Sequence, residues 1–183
     1  PNLLTTKWTL DDFGRVTQQI LTDQSQILTY YCIVSGRFSD VDSSSTPGCP
    51  VPSSQAEIPA EAVAYTHTVT TDASGVVNGP FTRVYADRLG RTVRTVKESY
   101  DPVAGASPRL VVQDIDYSSY GKQLVATQPY FLDTKSSAVI GTQQYGMTYT
   151  EYDVLGRTTA VYTADPKASG NEGGSVPAGT VSF

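Results

Sequence analysis

Tyr152-Asp153-Val154-Leu155-Gly156-Arg157, read as YDVLGR, stands between two strand-like runs, TYTE before it and TTAVYT after it. An acid three positions ahead of a glycine, with a cation directly behind that glycine, admits two explanations. An active site uses an acid beside a cation, and a hairpin uses the same letters for backbone reasons. Three relatives of the stretch decide between them: Leu10-Asp11-Asp12-Phe13-Gly14-Arg15, Ala86-Asp87-Arg88-Leu89-Gly90-Arg91 and Tyr117-Ser118-Ser119-Tyr120-Gly121-Lys122. All share Asp or Ser, any residue, a large apolar residue, Gly, then a cation. Catalytic sites are not repeated four times in a short chain; turns are.

The backbone accounts for every position. Asp or Ser at the first position accepts hydrogen bonds from main-chain N–H groups two or more residues on. Glycine three positions later supplies the positive φ that a type I turn with a G1 bulge requires. The residue after the acid points outward, and the large apolar residue is expected to tuck under the hairpin. The cation starts the return strand, its stem over a tyrosine and its charge near an acid or a carbonyl. Gly90, Gly121 and Gly156 are spaced 31 and 35 residues apart, a period typical of repeat architectures. Gly14 precedes Gly90 by 76 residues, which fits two such units, one degenerate and carrying an insertion.

The flanking segments agree. VAYTHTVT alternates, with Val63, Tyr65, His67 and Val69 on one face, and MTYTEY sets Met147, Tyr149 and Glu151 against Thr148, Thr150 and Tyr152. RLVVQDIDY and ILTYYCIV are strands by β-branched and aromatic content. Only SQAEIPAEAV hints at a helix, and Pro59 cuts it short. The fold class is therefore all-β, built from consecutive antiparallel hairpins. The chain of 183 residues reads as a single segment, residues 1–183, with a Cys/Ser/Pro-rich loop inserted at about 35–60 and a flexible Gly-rich loop at about 164–179. Its ends, PNLLTTKW and TVSF, read as strands that have been cut.

Composition excludes some functions. The formal net charge is -5 with only 13 Lys and Arg, which argues against a nucleic-acid surface. No run approaches the ~18 apolar residues of a membrane-spanning helix. Cys32 and Cys49 flank a Ser/Pro-rich stretch. They read either as a disulfide stapling that loop in an oxidising compartment, worth ~3 kcal/mol, or as two unrelated thiols. The single histidine, His67, lies on a Val/Tyr face and reads as packed and hydrogen-bonded. Asp40 and Asp42 lack the glycine and final acid of a calcium loop. Asp114 and Asp116 share a strand face, which calls for a neighbouring Arg or Lys rather than a metal. Asn2, Asn78 and Asn171 are outside any glycosylation sequon. Tyr149, Tyr152 and Tyr162 remain as a surface for sugars or an unfolded cargo, against ordinary cross-strand packing. No catalytic residue, metal ligand or cofactor site emerges, so the chain reads as non-enzymatic.

The motif, its spacing and the tyrosine-rich strands resemble the YD-repeat, or Rhs-repeat, proteins, which include bacterial polymorphic toxins, the B and C components of Tc toxins, and teneurins. The match is carried by Tyr152, Asp153, Gly156 and Arg157, by Asp87, Gly90 and Arg91, by Asp11, Gly14 and Arg15, and by Tyr117, Gly121 and Lys122. The resemblance implies a curved, spiralling sheet that forms one segment of a hollow β-shell. The chain would contribute wall around a toxin or other cargo in a secreted or surface-exposed bacterial virulence protein. Its partners would be neighbouring repeat segments, the cargo or a partner toxin subunit. The family's self-cleaving aspartyl protease finds no match here. The alternative is a binding module that recognises a glycan or a protein through its loops and tyrosine faces. Self-association through an edge strand is expected of either.

Overall fold

A computed structural model describes residues 5–34, 49–52, 55–99, 109–132, 146–164 and 180–182. The chain divides into two compact units, Pro1–Leu110 and Val111–Phe183. Both are all-β. In the first, β1 (Lys7–Leu10), β2 (Val16–Ile20), β3 (Gln26–Ile33), β4 (Ala64–Thr71), β5 (Thr82–Ala86) and β6 (Thr92–Glu98) lie side by side in chain order. Each pairs antiparallel with the next. Such an order needs only short connections, which is why turn chemistry dominates the sequence.

The second unit holds β7 (Leu110–Tyr117), β8 (Gln123–Thr127), β9 (Tyr130–Leu132), β10 (Met147–Tyr152), β11 (Thr158–Ala164) and β12 (Thr180–Ser182). Strands β7, β8, β10, β11 and β12 are neighbours in that order, and β9 pairs with β7. The only helical turn among the described residues is a 3-10 turn at Gln55–Glu57, which stops before Pro59.

Period-2 patterning sets the buried face. In β4, Tyr65 and His67 point inward, and in β5 Arg83 and Tyr85 do so beside them. Val96 of β6 completes this face, fully buried; burying one such valine contributes ~1.5–3 kcal/mol. In the second unit Val112, Val125, Leu132, Met147 and Ala160 form the core. By contrast, every residue of β1 is exposed.

The insertion joins β3 to β4. It leaves at Val34 and returns at Val63, where Val34 N–H donates to Val63 O at 2.9 Å and Val63 N–H to Ala86 O at 2.9 Å. Its residues 35–48 and 53–54 lie outside the described residues, and with them Asp40 and Asp42. The Gly-rich loop expected at 164–179 likewise falls outside from 165 on, as do Asn2 and Asn171.

Candidate functional site

Each motif copy closes a hairpin. In the Asp87 copy the first-position N–H donates to Arg91 O at 3.0 Å, and Gly90 N–H donates to Asp87 O at 3.0 Å. Gly90 has φ 76°. Asp87 Oδ1 accepts the N–H groups of Leu89 and Arg91, both at 2.9 Å, while Oδ2 accepts Arg91 Nε at 2.7 Å. The same set recurs at Asp11 with Phe13 and Arg15, and at Asp153 with Leu155 and Arg157. Ser118 keeps a weaker version, its Oγ accepting Lys122 N–H at 3.1 Å. The ladder register slips by one residue at all four turns, as a bulge requires.

The three carboxyls titrate below the usual range. At Asp153 the hydrogen bonds from the backbone and side chain of Arg157 are the leading causes. At Asp11 and Asp87 partial desolvation is the largest single effect and pulls upward. The combined donors of Arg15 and Arg91 outweigh it.

The large apolar residue does not tuck under the turn. Phe13, Leu89, Tyr120 and Leu155 are between 74% and 92% exposed. The reason is geometric: the turn's interior is occupied by the carboxylate and the guanidinium, and the tip lies beyond the last strand pair. Val154, at the second position, points outward and is fully exposed.

Two further turns share this backbone, and neither was visible as a motif copy. Leu21–Ser25 makes the same pair of bonds, Leu21 N–H to Ser25 O at 2.8 Å and Gln24 N–H to Leu21 O at 3.0 Å, with Gln24 at φ 69°. Asp72–Val76 makes them at 2.9 and 3.1 Å with Gly75 at φ 84°. It has the acid and the glycine but Val76 in place of the cation.

The motif's tyrosine links hairpins. Tyr152 Oη donates to Gln123 O at 2.9 Å, and the Lys122 ammonium sits 5.9 Å from its ring centroid. Tyr31 does the same in the first unit: its Oη donates to Val16 O at 3.3 Å, under the Arg15 guanidinium at 4.1 Å. In each case the accepting carbonyl belongs to the residue after the cation. Tyr31 is therefore the missing tyrosine of the degenerate unit, the β3–β4 hairpin whose turn is replaced by the insertion. An open groove of about 210 Å³ lies here, lined by Asp11, Arg15, Thr17, Tyr30, Tyr31 and Cys49 among others.

The insertion is fastened at two points. Cys32 and Cys49 are bonded, with an S–S distance of 2.00 Å and Cα atoms 5.8 Å apart. Beyond them the 3-10 turn lowers Glu57, fully buried, onto the inward face of β4–β6. Glu57 Oε1 accepts from Arg83 Nη1 and from Tyr85 Oη at 3.0 Å. Arg83 Nε donates to His67 Nδ1 at 3.1 Å, so that nitrogen carries no proton. Arg94 Nη1 donates to Ala56 O at 2.8 Å and Glu57 O at 3.1 Å, and Tyr65 Oη donates to Pro50 O at 2.9 Å.

Burial, then the Arg83 charge, push His67 down to about 4. Burial, then Glu57, push the Tyr85 hydroxyl up. His67 is thus packed and hydrogen-bonded. The cluster around it was missed, although Arg83 gave a signal: an arginine on the buried phase of a strand demands a buried partner.

In the second unit Asp114 is buried, with Oδ2 accepting Tyr130 Oη at 2.6 Å, whereas Asp116 is exposed and accepts Tyr117 N–H at 2.8 Å. Tyr149 and Tyr162 face each other across β10–β11, and Tyr162 Oη donates to Glu151 Oε2 at 3.2 Å. Tyr152 lies on the other face of the strand. Among the described residues no group of three or more His, Cys, Asp or Glu is placed to hold a metal, and no helix is long and apolar enough to cross a membrane.

No family model matches the sequence. No curated protein matches it. Among solved structures the chain is similar to the crystal structure of TcdB2-TccC3, at 17% identity over 87% of this chain with a TM-score of 0.46. The chain spans about 10% of that protein's length.

Proposed function

We propose that the chain is a non-enzymatic structural segment of a secreted or surface-exposed bacterial YD/Rhs-repeat protein, contributing wall to a β-shell around a toxin or other cargo. One observation carries this reading: the turn frame recurs with the same donors and acceptors at Asp11, Asp87 and Asp153, and in reduced form at Ser118. These side chains bind their own hairpins, so their chemistry is spent on building a sheet. The Glu57 cluster follows the same logic, with Arg83, His67 and Tyr85 engaged in holding the insertion. The partners are neighbouring hairpin segments and an enclosed polypeptide, and no cofactor is required.

Limited proteolysis of the protein at its native length tests this. A cargo segment should be protected, and deleting the β5–β6 hairpin should open it to cleavage. A cargo cut equally fast with and without that hairpin refutes the wall. A second reading rests on the groove beside Tyr31: a binding module for a glycan. A glycan array showing binding that Tyr31→Ala abolishes would favour it over the wall.

A further inference from the structure

The first unit ends in a strand whose chemistry is complementary to itself. Strand β1 pairs with β2 on one side, and its four residues are exposed, Trp8 and Leu10 by more than half of their surface. An uncovered edge carrying a tryptophan is the kind that natural sheets normally blunt.

The direction of its backbone groups follows from two contacts. Asp11 N–H donates to Arg15 O, and Thr9 O accepts from Thr17 Oγ1 at 3.3 Å, so Thr9 and Asp11 turn their main-chain groups toward β2. Alternation then turns those of Trp8 and Leu10 outward. The slip in the β1–β2 register places the additional residue, Thr17, on β2, so β1 itself stays regular.

We propose that β1 pairs antiparallel with β1 of a second copy of this chain, about a two-fold axis through Thr9. In this register Trp8 lies opposite Leu10 of the partner copy, and the outward groups of the two exchange four main-chain hydrogen bonds. Trp8 and Leu10 of both copies share one face and bury one another. On the other face Lys7 falls opposite the partner copy's Asp11, a carboxylate that already holds Arg15. A shift of one residue sets outward groups against inward ones. The shifts of two set Trp8 opposite Trp8, with Lys7 opposite Thr9, or Leu10 opposite Leu10, with Trp8 opposite Asp12. Only the Thr9-centred register joins apolar to apolar and cation to anion, which is what an isologous contact needs.

Cysteine scanning reads the register directly, because the two native cysteines are bonded to each other and an introduced thiol is the sole free one. On the axis, the two Thr9 Cα atoms come to ~4.5 Å, the spacing of a non-hydrogen-bonded pair and within disulfide range. Thr9→Cys should give a covalent dimer in air. Lys7→Cys, on the same face but ~13 Å from its counterpart, should not. Leu10→Pro removes an outward N–H that the monomer does not use, so its melting curve should stay close to that of the parent chain. By sedimentation its dimer should dissociate at ~10-fold lower concentration of competitor-free protein, that is, with a ~10-fold weaker Kd, since symmetry removes two bonds at once. A parent chain that stays monomeric over a hundredfold concentration range overturns the proposal and leaves the edge to some other strand. Dimerisation unaffected by Leu10→Pro, or cross-linking of Lys7→Cys as fast as of Thr9→Cys, overturns it equally.

Discussion

Arg157 and Arg83 each hold a carboxylate, Arg157 in water at the tip of a hairpin and Arg83 under the insertion. The Arg157 side chain is mostly exposed, and its partner Asp153 also accepts two main-chain N–H groups. Arg83 and Glu57 are removed from solvent, with Tyr85 and His67 completing their hydrogen bonds. Losing the exposed cation leaves a carboxylate that water and two amides still satisfy. Losing one member of the buried pair leaves a charge with no solvent to receive it. The repeated, legible ion pair is therefore the dispensable one, and the unrepeated pair is the one on which the first unit depends.

The sharpest way to break that comparison is a pair of truncations. Glu57→Ala should cost ~3–5 kcal/mol, the usual penalty for stranding a buried charge. Arg157→Ala should shift the melting curve far less, as exposed pairs do. Chemical denaturation of both variants checks this, and equal losses would show that the Glu57 cluster is hydrated.

Acid separates the two kinds of pair by pH. His67 has its folded pKa depressed to about 4 from the ordinary 6.5. The unfolded chain therefore takes up the proton first, and stability falls as pH drops from 6.5 to about 4, by ~3 kcal/mol in all. Below about 4 the folded form is protonated as well and this slope ends. A proton on Nδ1 also removes the acceptor of Arg83 and sets a second positive charge beside it, with Glu57 the acid of that cluster and Tyr30 and Phe81 the rings beside the imidazole. The turn carboxylates behave differently. Asp11, Asp87 and Asp153 are depressed below 3.8, so their contribution is intact above that value and fades only below it. Urea titrations from pH 7 to 3 should show the His67 slope in the parent chain and its loss in His67→Gln. A flat profile between 6.5 and 4 in the parent chain would contradict the buried, neutral imidazole.

What the sequence could and could not show follows the same division. The hairpins at Asp11, Asp87, Ser118 and Asp153 were legible because a positive φ calls for glycine and the acid binds amides a fixed number of residues away. Leu21–Ser25 was not, since Gln24 adopts the same φ without glycine and Leu21 offers no side-chain acceptor. Asp72–Val76 carried the acid and glycine but lacked the cation that marked the others. The exposure of Phe13, Leu89, Tyr120 and Leu155 went against expectation because the letters give the turn's shape, not what fills its interior. Glu57 reaches Arg83 across 26 positions of chain, and no local pattern announces such a contact. Tyr31 is recognisable only once its bond to Val16 O is seen to match that of Tyr152 to Gln123 O.

The smallest effects belong to the turns themselves, where Gly90 and Gln24 form a matched pair. Both occupy the fourth position of the same backbone, at φ 76° and 69°. A Cβ built on Gly90 meets nothing within 4 Å, so Gly90→Ala reports backbone strain alone and should cost ~1–2 kcal/mol. Gly156→Ala should cost at least ~1 kcal/mol; its Cβ would approach only the flexible Cε of Lys122, at 3.2 Å. Val154→Ala, on a side chain that touches nothing, should cost little. Gln24→Gly runs the exchange in reverse. It relieves the left-handed strain, worth ~1–2 kcal/mol, but loosens the unfolded chain by ~0.4–1 kcal/mol. The net should be a gain of ~0.5–1 kcal/mol. Thermal melts of Gly90→Ala and Gln24→Gly should therefore move in opposite directions. A Gln24→Gly variant less stable than the parent would mean that the glutamine side chain holds this turn, and the equivalence of the two turns would fail.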